Sequence, residues 1–286
     1  MPSAAKRQRK KESARARQEA MRLEQERSAR RRRYILIGGS VAAILVILFL
    51  TQRSSSKKST VSTKGKTTTT VAPATGTPPK AKPVAAGQTI TGDTPCPKAD
   101  GSSPRASKFA KAPPVCTSIV KKYTATFDTS EGKIVVDLDM TKTPSTTNNF
   151  VVLARYHYYD GTAIFRTDPS IDIIQGGAPS TQSPSDPGPG YTIPDEGGKF
   201  TYSAGDLVMA RTQLPNSAGA QFFLVAGPKA SSLDAQGTYV TFGKVSQGLD
   251  IVQKILGLHE ADPSSQLGGG PRRVVTVKSI TITEVG

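Results

Sequence analysis

Two stretches decide how this chain is read: IDIIQGG at 171–177 and LVMARTQLPNSAGAQFFLVAG at 207–227. Each sets alternating apolar residues beside Gln and small residues. That is the pattern of a strand with one face in a core and the other offering a polar contact. By that alternation Phe222 and Met209 belong to the core, and Phe223 faces the opposite way.

Outward from these strands, the texture from Tyr123 onward is that of a globular domain. YTATFDTSEGKIVVDLD (123–139) reads as two alternating strands joined at Ser130-Glu131-Gly132. Thr143-Pro144 supplies an N-cap and an N1 proline for a helix in which Phe150, Leu153 and Ala154 form one apolar stripe, ending near Tyr158. Short strands follow between Gly and Pro loops. A second helix is expected around 248–256, where Leu249, Val252, Ile255 and Leu256 keep helical spacing, and VVTVKSITITEV (274–285) reads as the closing strand. Many strands with two helices imply a mainly β fold, a barrel with helical covers.

Upstream the composition changes. The chain has 286 residues and a formal net charge of +16, and its first 33 residues hold 13 Lys or Arg against 4 Glu. A basic surplus points to nucleic acid or to an anionic membrane surface. The next segment, YILIGGSVAAILVILFL (34–50), chooses between them, because it carries no charge. As a helix it would reach about 26 Å, close to the hydrocarbon thickness of a bilayer, with Thr51 and flanking arginines covering the remainder. The expected organisation is therefore a basic cytoplasmic tail (1–33), a single transmembrane signal anchor (34–51), a disordered Ser/Thr/Lys/Pro linker (52–92), a disulfide-closed extension (93–122) and a folded domain (123–286). The Arg30–Arg33 cluster places the N-terminus in the cytoplasm and the domain outside, at the cell membrane. Contact with anionic lipid is a further role open to the tail, and no nucleic-acid partner is expected. Cys96 and Cys116, an even pair in an exported region, are expected to form a disulfide.

YYDGTAIFR (158–166), IIQGG (173–177), GYTIPDE (190–196), LVMA (207–210), GAQFF (219–223), SSLD (231–234) and YVTFGKV (239–245) stand in an order and near a spacing that resemble the cyclophilin-type peptidyl-prolyl cis-trans isomerases. With the anchor upstream, the resemblance is to a membrane-anchored bacterial type. It covers Tyr123 to the C-terminus and implies a closed eight-stranded antiparallel barrel capped by two helices. The implied activity is rotation about X-Pro bonds to assist the folding of exported proteins, by a monomer with no cofactor and no metal, acting on proline-containing polypeptides. A non-catalytic proline-peptide scaffold in the cell envelope is the alternative.

The resemblance also implies a site. Arg166, Gln175 and Phe223 take the catalytic positions: the arginine donates to the twisted amide, the glutamine orients it, and the phenylalanine floors the proline pocket. Ile173, Ala210, Arg211, Gln221, Leu233 and Tyr239 take substrate-binding positions. Two placements stay open. Counting forward from Asp160-Gly161 puts Arg166 at the catalytic position, whereas counting back from Gln175 without a gap puts Thr167 there. An insertion in the Asp168-Pro169-Ser170 loop would favour the arginine. Either Asp172 or Ile171 stands where an apolar wall is usual. The chain departs from the family at Arg211 (often Asn), Ser232 (often Trp) and Tyr239 (often His), so weak cyclosporin binding is expected.

Other chemistries find little support. The two histidines, His157 and His259, have no companions at metal-ligand spacing, and there is neither a GxSxG elbow nor a phosphate loop.

Overall fold

The computed structural model describes residues 77–265 and 267–285. The basic tail, the proposed anchor at 34–51 and the linker as far as residue 76 lie outside the described residues. Among the described residues, no helix is long and apolar enough to cross a membrane.

Among the described residues, the first strand falls where an unstructured tether was expected. β1 (Gln88–Ile90) pairs in parallel with β2 (Ala106–Phe109). The described end of the segment expected to be a linker to residue 92 is thus held in place, because the domain supplies partners for its backbone. Val84 N–H donates to the Pro179 carbonyl, Gln88 N–H to the Arg105 carbonyl, and Gly87 N–H to Ser107 Oγ. Ile90 packs against the core. Cys96 and Cys116 are disulfide-bonded. The segment they close is held to the domain by Asn148, whose Oδ1 accepts from the backbone of Cys116 and Thr117 while its Nδ2 donates to the Pro114 carbonyl.

β3 (Lys122–Thr129) and β4 (Gly132–Leu138) form the expected hairpin, with Thr129 opposite Gly132. α1 (Pro144–Arg155) begins at the expected proline, but Thr143 does not cap it through its side chain. The buried Thr143 hydroxyl turns toward the carbonyls of Asp139 and Thr241, and Glu196 Oε1 accepts from the Ser145 N–H instead. The helix stops before Tyr158 because His157 adopts φ +55°. His157 N–H then bonds the Ala154 carbonyl and Tyr158 N–H the Leu153 carbonyl, which together make a left-handed C-terminal cap. One apolar stripe was expected on α1, yet residues 146–155 are all buried. The extension covers the outer face, and Arg155 there pairs with Glu284.

β5 (Thr162–Ala163), β6 (Arg166–Asp168), β7 (Ile173–Gly176), β8 (Asp206–Met209), β9 (Phe222–Val225), β10 (Thr241–Gln247) and β13 (Thr276–Val285) complete one sheet with β3 and β4. α2 (Leu249–Leu256) follows β10, and β11 (His259–Ala261) pairs with β12 (Gly269–Pro271) as a separate hairpin. The order β5-β13-β3-β4-β10-β8-β9-β7-β6 is antiparallel at every pairing. Its two end strands are separated in the chain only by Ile164-Phe165, so the sheet must curl until both ends meet one short segment. Within that segment the partner changes: Ile164 N–H donates to the Val275 carbonyl and Phe165 N–H to the Gln175 carbonyl. No ladder joins β5 to β6. A curled nine-stranded antiparallel sheet thus stands in place of the expected closed ring of eight. Inside the curl, Phe150 of α1 meets Tyr159, Phe242 and Phe222, with ring centroids 5.1, 5.1 and 6.1 Å away. Phe222 and Met209 lie in this core as their alternation requires.

Candidate functional site

The site is a consequence of register. β6 pairs with β7 so that Arg166 lies opposite Gln175, and β7 pairs with β9 so that Gln175 lies opposite Phe223. Residues at 166, 175 and 223 therefore stand in one row across three strands. The row borders a cavity of about 440 Å³. All nine positions expected to act on substrate line it: Arg166, Gln175 and Phe223 from the row, Ile173 from β7, Ala210 and Arg211 after β8, Gln221 before β9, Leu233 from a 3₁₀ helix (Pro228–Leu233), and Tyr239.

Arg166 is held from three directions. Its Nε donates to the Leu267 carbonyl (3.0 Å), Nη1 to Gln175 Oε1 (2.9 Å) and Nη2 to Asp168 Oδ2 (2.7 Å). A guanidinium has five N–H groups, so among the described residues one on each terminal nitrogen is left over for the cavity that Arg166 lines. The Gln175 amide has only one satisfactory orientation here. With Oε1 toward Arg166, its Nε2 donates to Gln221 Oε1 (3.0 Å), and Gln221 Nε2 donates to the Pro184 carbonyl (3.1 Å). Arginine, both glutamines and the cavity wall thus form one directional chain.

Asp168 stays ionised beside the arginine. Burial alone would raise its carboxyl. The Ser170 hydroxyl and backbone N–H, with the Arg166 guanidinium, outweigh burial and leave it below its ordinary value.

The apolar side is equally fixed. The Phe223 ring meets Tyr239 edge-on, with centroids 5.7 Å apart at 82°. Tyr202 locks Tyr239 in place by donating to its carbonyl and accepting from its N–H. Burial pushes the Tyr202 phenol up to about 12, so it remains a neutral donor at physiological pH.

For both open placements the cavity lining distinguishes the alternatives. Thr167 is fully buried and points away, its hydroxyl paired with His259 Nδ1 at 2.9 Å, so the cavity receives Arg166. Ile171 lines the cavity and Asp172 does not. Asp172 adopts φ +49° and turns its carboxylate to the Lys229 N–H at the start of the 3₁₀ helix. Arg211 is not a free charge over the groove, because its guanidinium donates to the carbonyls of Thr238 and Leu214 and lies 5.8 Å from the Tyr239 ring centroid. Ser232 is exposed and outside the cavity lining.

Sequence reasoning missed three contributors. Asp168 was legible only as loop, although a carboxylate two residues from an arginine on one strand shares its face. Leu267 acts through a backbone carbonyl 101 residues away, for which no sequence signal exists. The wall from Pro184 to Pro189 was read only as one of the Gly and Pro loops between strands. Tyr191 is anchored there by its hydroxyl to Asn149 Oδ1, and burial raises its phenol pKa.

A family model described as "Cyclophilin type peptidyl-prolyl cis-trans isomerase/CLD" matches residues 124–285. The chain is 34% identical over 167 residues to peptidyl-prolyl cis-trans isomerase B of Escherichia coli (strain K12), covering 56% of this chain and 99% of that protein. It is 36% identical over 142 residues to peptidyl-prolyl cis-trans isomerase cyp18 of Streptomyces antibioticus, covering 47% and 84% of the two. The solved structure of a Cryptosporidium parvum cyclophilin type peptidyl-prolyl cis-trans isomerase aligns with a TM-score of 0.49 and 26% identity, over 58% of this chain and 99% of its own.

Proposed function

The chain belongs to the cyclophilin-type peptidyl-prolyl cis-trans isomerases, and on that premise we propose that Arg166 is the group through which it accelerates X-Pro rotation in exported polypeptides. The uncatalysed barrier is about 18–20 kcal/mol, because rotation breaks amide resonance. In the planar amide the prolyl nitrogen has no lone pair to offer. In the twisted transition state it does, and one of the two spare Arg166 N–H groups donates to it. That bond exists only at the top of the barrier, so it lowers the barrier without tightening ground-state binding. Phe223 holds the proline ring from below, with Ile171, Ile173 and Leu233 excluding water around it. Gln175 orients Arg166, while Gln221 and Ala210 contact the substrate backbone.

The observation that carries this reading is the three-point fixation of Arg166 beside the Phe223 floor, with two N–H groups unspent among the described residues. The test is cis-to-trans exchange of an X-Pro peptide measured by NMR with the purified chain. Acceleration that disappears in Arg166→Ala is expected. Peptide binding without exchange enhancement would favour the scaffold instead.

We further propose that the domain works outside the cytoplasm on a tether from a single membrane span at 34–51. The uncharged run after an arginine cluster and the paired cysteines support this. Protease added to intact cells should remove the domain and spare the tail.

A further inference from the structure

The extension that precedes the family-matched region is built into the wall of the cavity. Phe109 N–H donates to the Pro189 carbonyl (2.8 Å), and the Phe109 ring meets Tyr191 edge-on at 6.1 Å. Gly190 has φ +105°, and a Cβ there would lie 2.5 Å from the Phe109 carbonyl oxygen, so only glycine permits this approach. Gln221 grips the same loop from the cavity side at Pro184. The stretch 184–190 is therefore a partition held on both faces. Beyond it lies a second groove of about 430 Å³, between β1–β2 and the partition. Pro187 and Gly188 line both the cavity and the groove, so the two adjoin on either side of them.

We propose that this groove is an outer subsite of the isomerase site, occupied by the same substrate polypeptide in extended form several residues from its proline, with an acidic side chain facing Lys108. The inference rests on the isomerase reading. Among the described residues, Lys108 is the only charged one lining the groove, and the ladder sets it opposite Thr89, with both side chains exposed. Ile90 and the buried Phe109 supply an apolar floor. A rigid floor beside the adjoining cavity costs the bound chain less ordering than a mobile loop would. A peptide of a few residues fills the proline cavity alone. A longer one crosses Pro187-Gly188 and gains the second set of contacts.

The test compares kcat/KM of the full-length chain, by NMR exchange, on a four-residue X-Pro peptide and on a twelve-residue peptide with the same centre and glutamates in both flanks. Lys108→Glu should lower kcat/KM for the long peptide about 5–10-fold, as expected for turning an attraction into a repulsion, and leave the short one unchanged. Lys108→Arg should behave as wild type, and replacing the flanking glutamates by lysine should reverse the preference of Lys108→Glu. Lys108→Gln, which introduces no new charge, should give an intermediate loss. An equal effect on both peptides, or none on either, overturns the outer subsite while leaving the isomerase reading intact. Failure of the wild-type chain to accelerate even the short peptide overturns both.

Discussion

Arg166→Lys separates positioning from charge at the centre of the site. Both residues are cationic, but the guanidinium meets three acceptors in three directions, the Leu267 carbonyl, Gln175 Oε1 and Asp168 Oδ2. A lysine ammonium is one point of charge on a flexible stem and cannot span that set. It would settle on Asp168, the nearest anion, and withdraw from the prolyl nitrogen. Loss of one preorganised donor to developing charge typically costs about 10²–10³ in rate. The Arg166 side chain is 15% exposed, so water dilutes its field and the lower end applies. We expect kcat/KM to fall about 100-fold, which is about 2.7 kcal/mol at 1.36 per decade. Most of the loss should appear in kcat, because the planar ground-state amide makes no such bond. The assay is line-shape or exchange NMR on a four-residue X-Pro peptide, with thermal unfolding of the same sample as a control for folding. If the folded variant keeps more than a third of wild-type kcat/KM, positive charge suffices and the three-point fixation has no catalytic meaning.

Three other outcomes follow from the same geometry. Phe222→Ala, in the aromatic core and fully buried, should destabilise the domain by about 3–5 kcal/mol in denaturant titration; a loss under 1 kcal/mol would contradict its placement. Replacing Cys96 and Cys116 by serine opens a loop with a sequence separation of 20, and should lower stability by about 3 kcal/mol on the loop-entropy account. Glu131 is held low first by Arg273, Glu284 first by Lys121, and Asp168 ends below its ordinary value despite burial. These folded-state values lie below the unfolded ones, so the unfolded chain binds more protons as the solution is acidified. Their stabilisation is complete above the ordinary carboxylate range near pH 4 and is lost as pH falls through the lowered values. The melting temperature should therefore drop steeply below about pH 4, and a flat profile to pH 2.5 would refute the assignments.

The hairpin at 122–138, the start of α1 at Pro144 and the opposed faces of Phe222 and Phe223 were legible because each depends on contacts within a few residues, or on the twofold alternation of a strand. The cavity residues were legible only through resemblance to a family, since nothing local distinguishes Gln175 from any buried strand glutamine. Partner choices were not legible. Whether Arg166 or Thr167 enters the cavity depends on how β6 pairs with β7, and a shift of one residue would send the other side chain inward. Ile171 replaces Asp172 at the wall because the aspartate finds a backbone donor at Lys229, across a distance in sequence that no spacing reveals. The same holds for the extension. Its composition is that of a loop, yet it buries the outer face of α1 and grips the partition at Pro189. Strand alternation and turn chemistry are properties of neighbouring residues, and they were enough to place strands that build the site. Hydrogen-bond partners and register are properties of the folded whole, and they set which side chains face the cavity, which wall closes it and which added segment completes it.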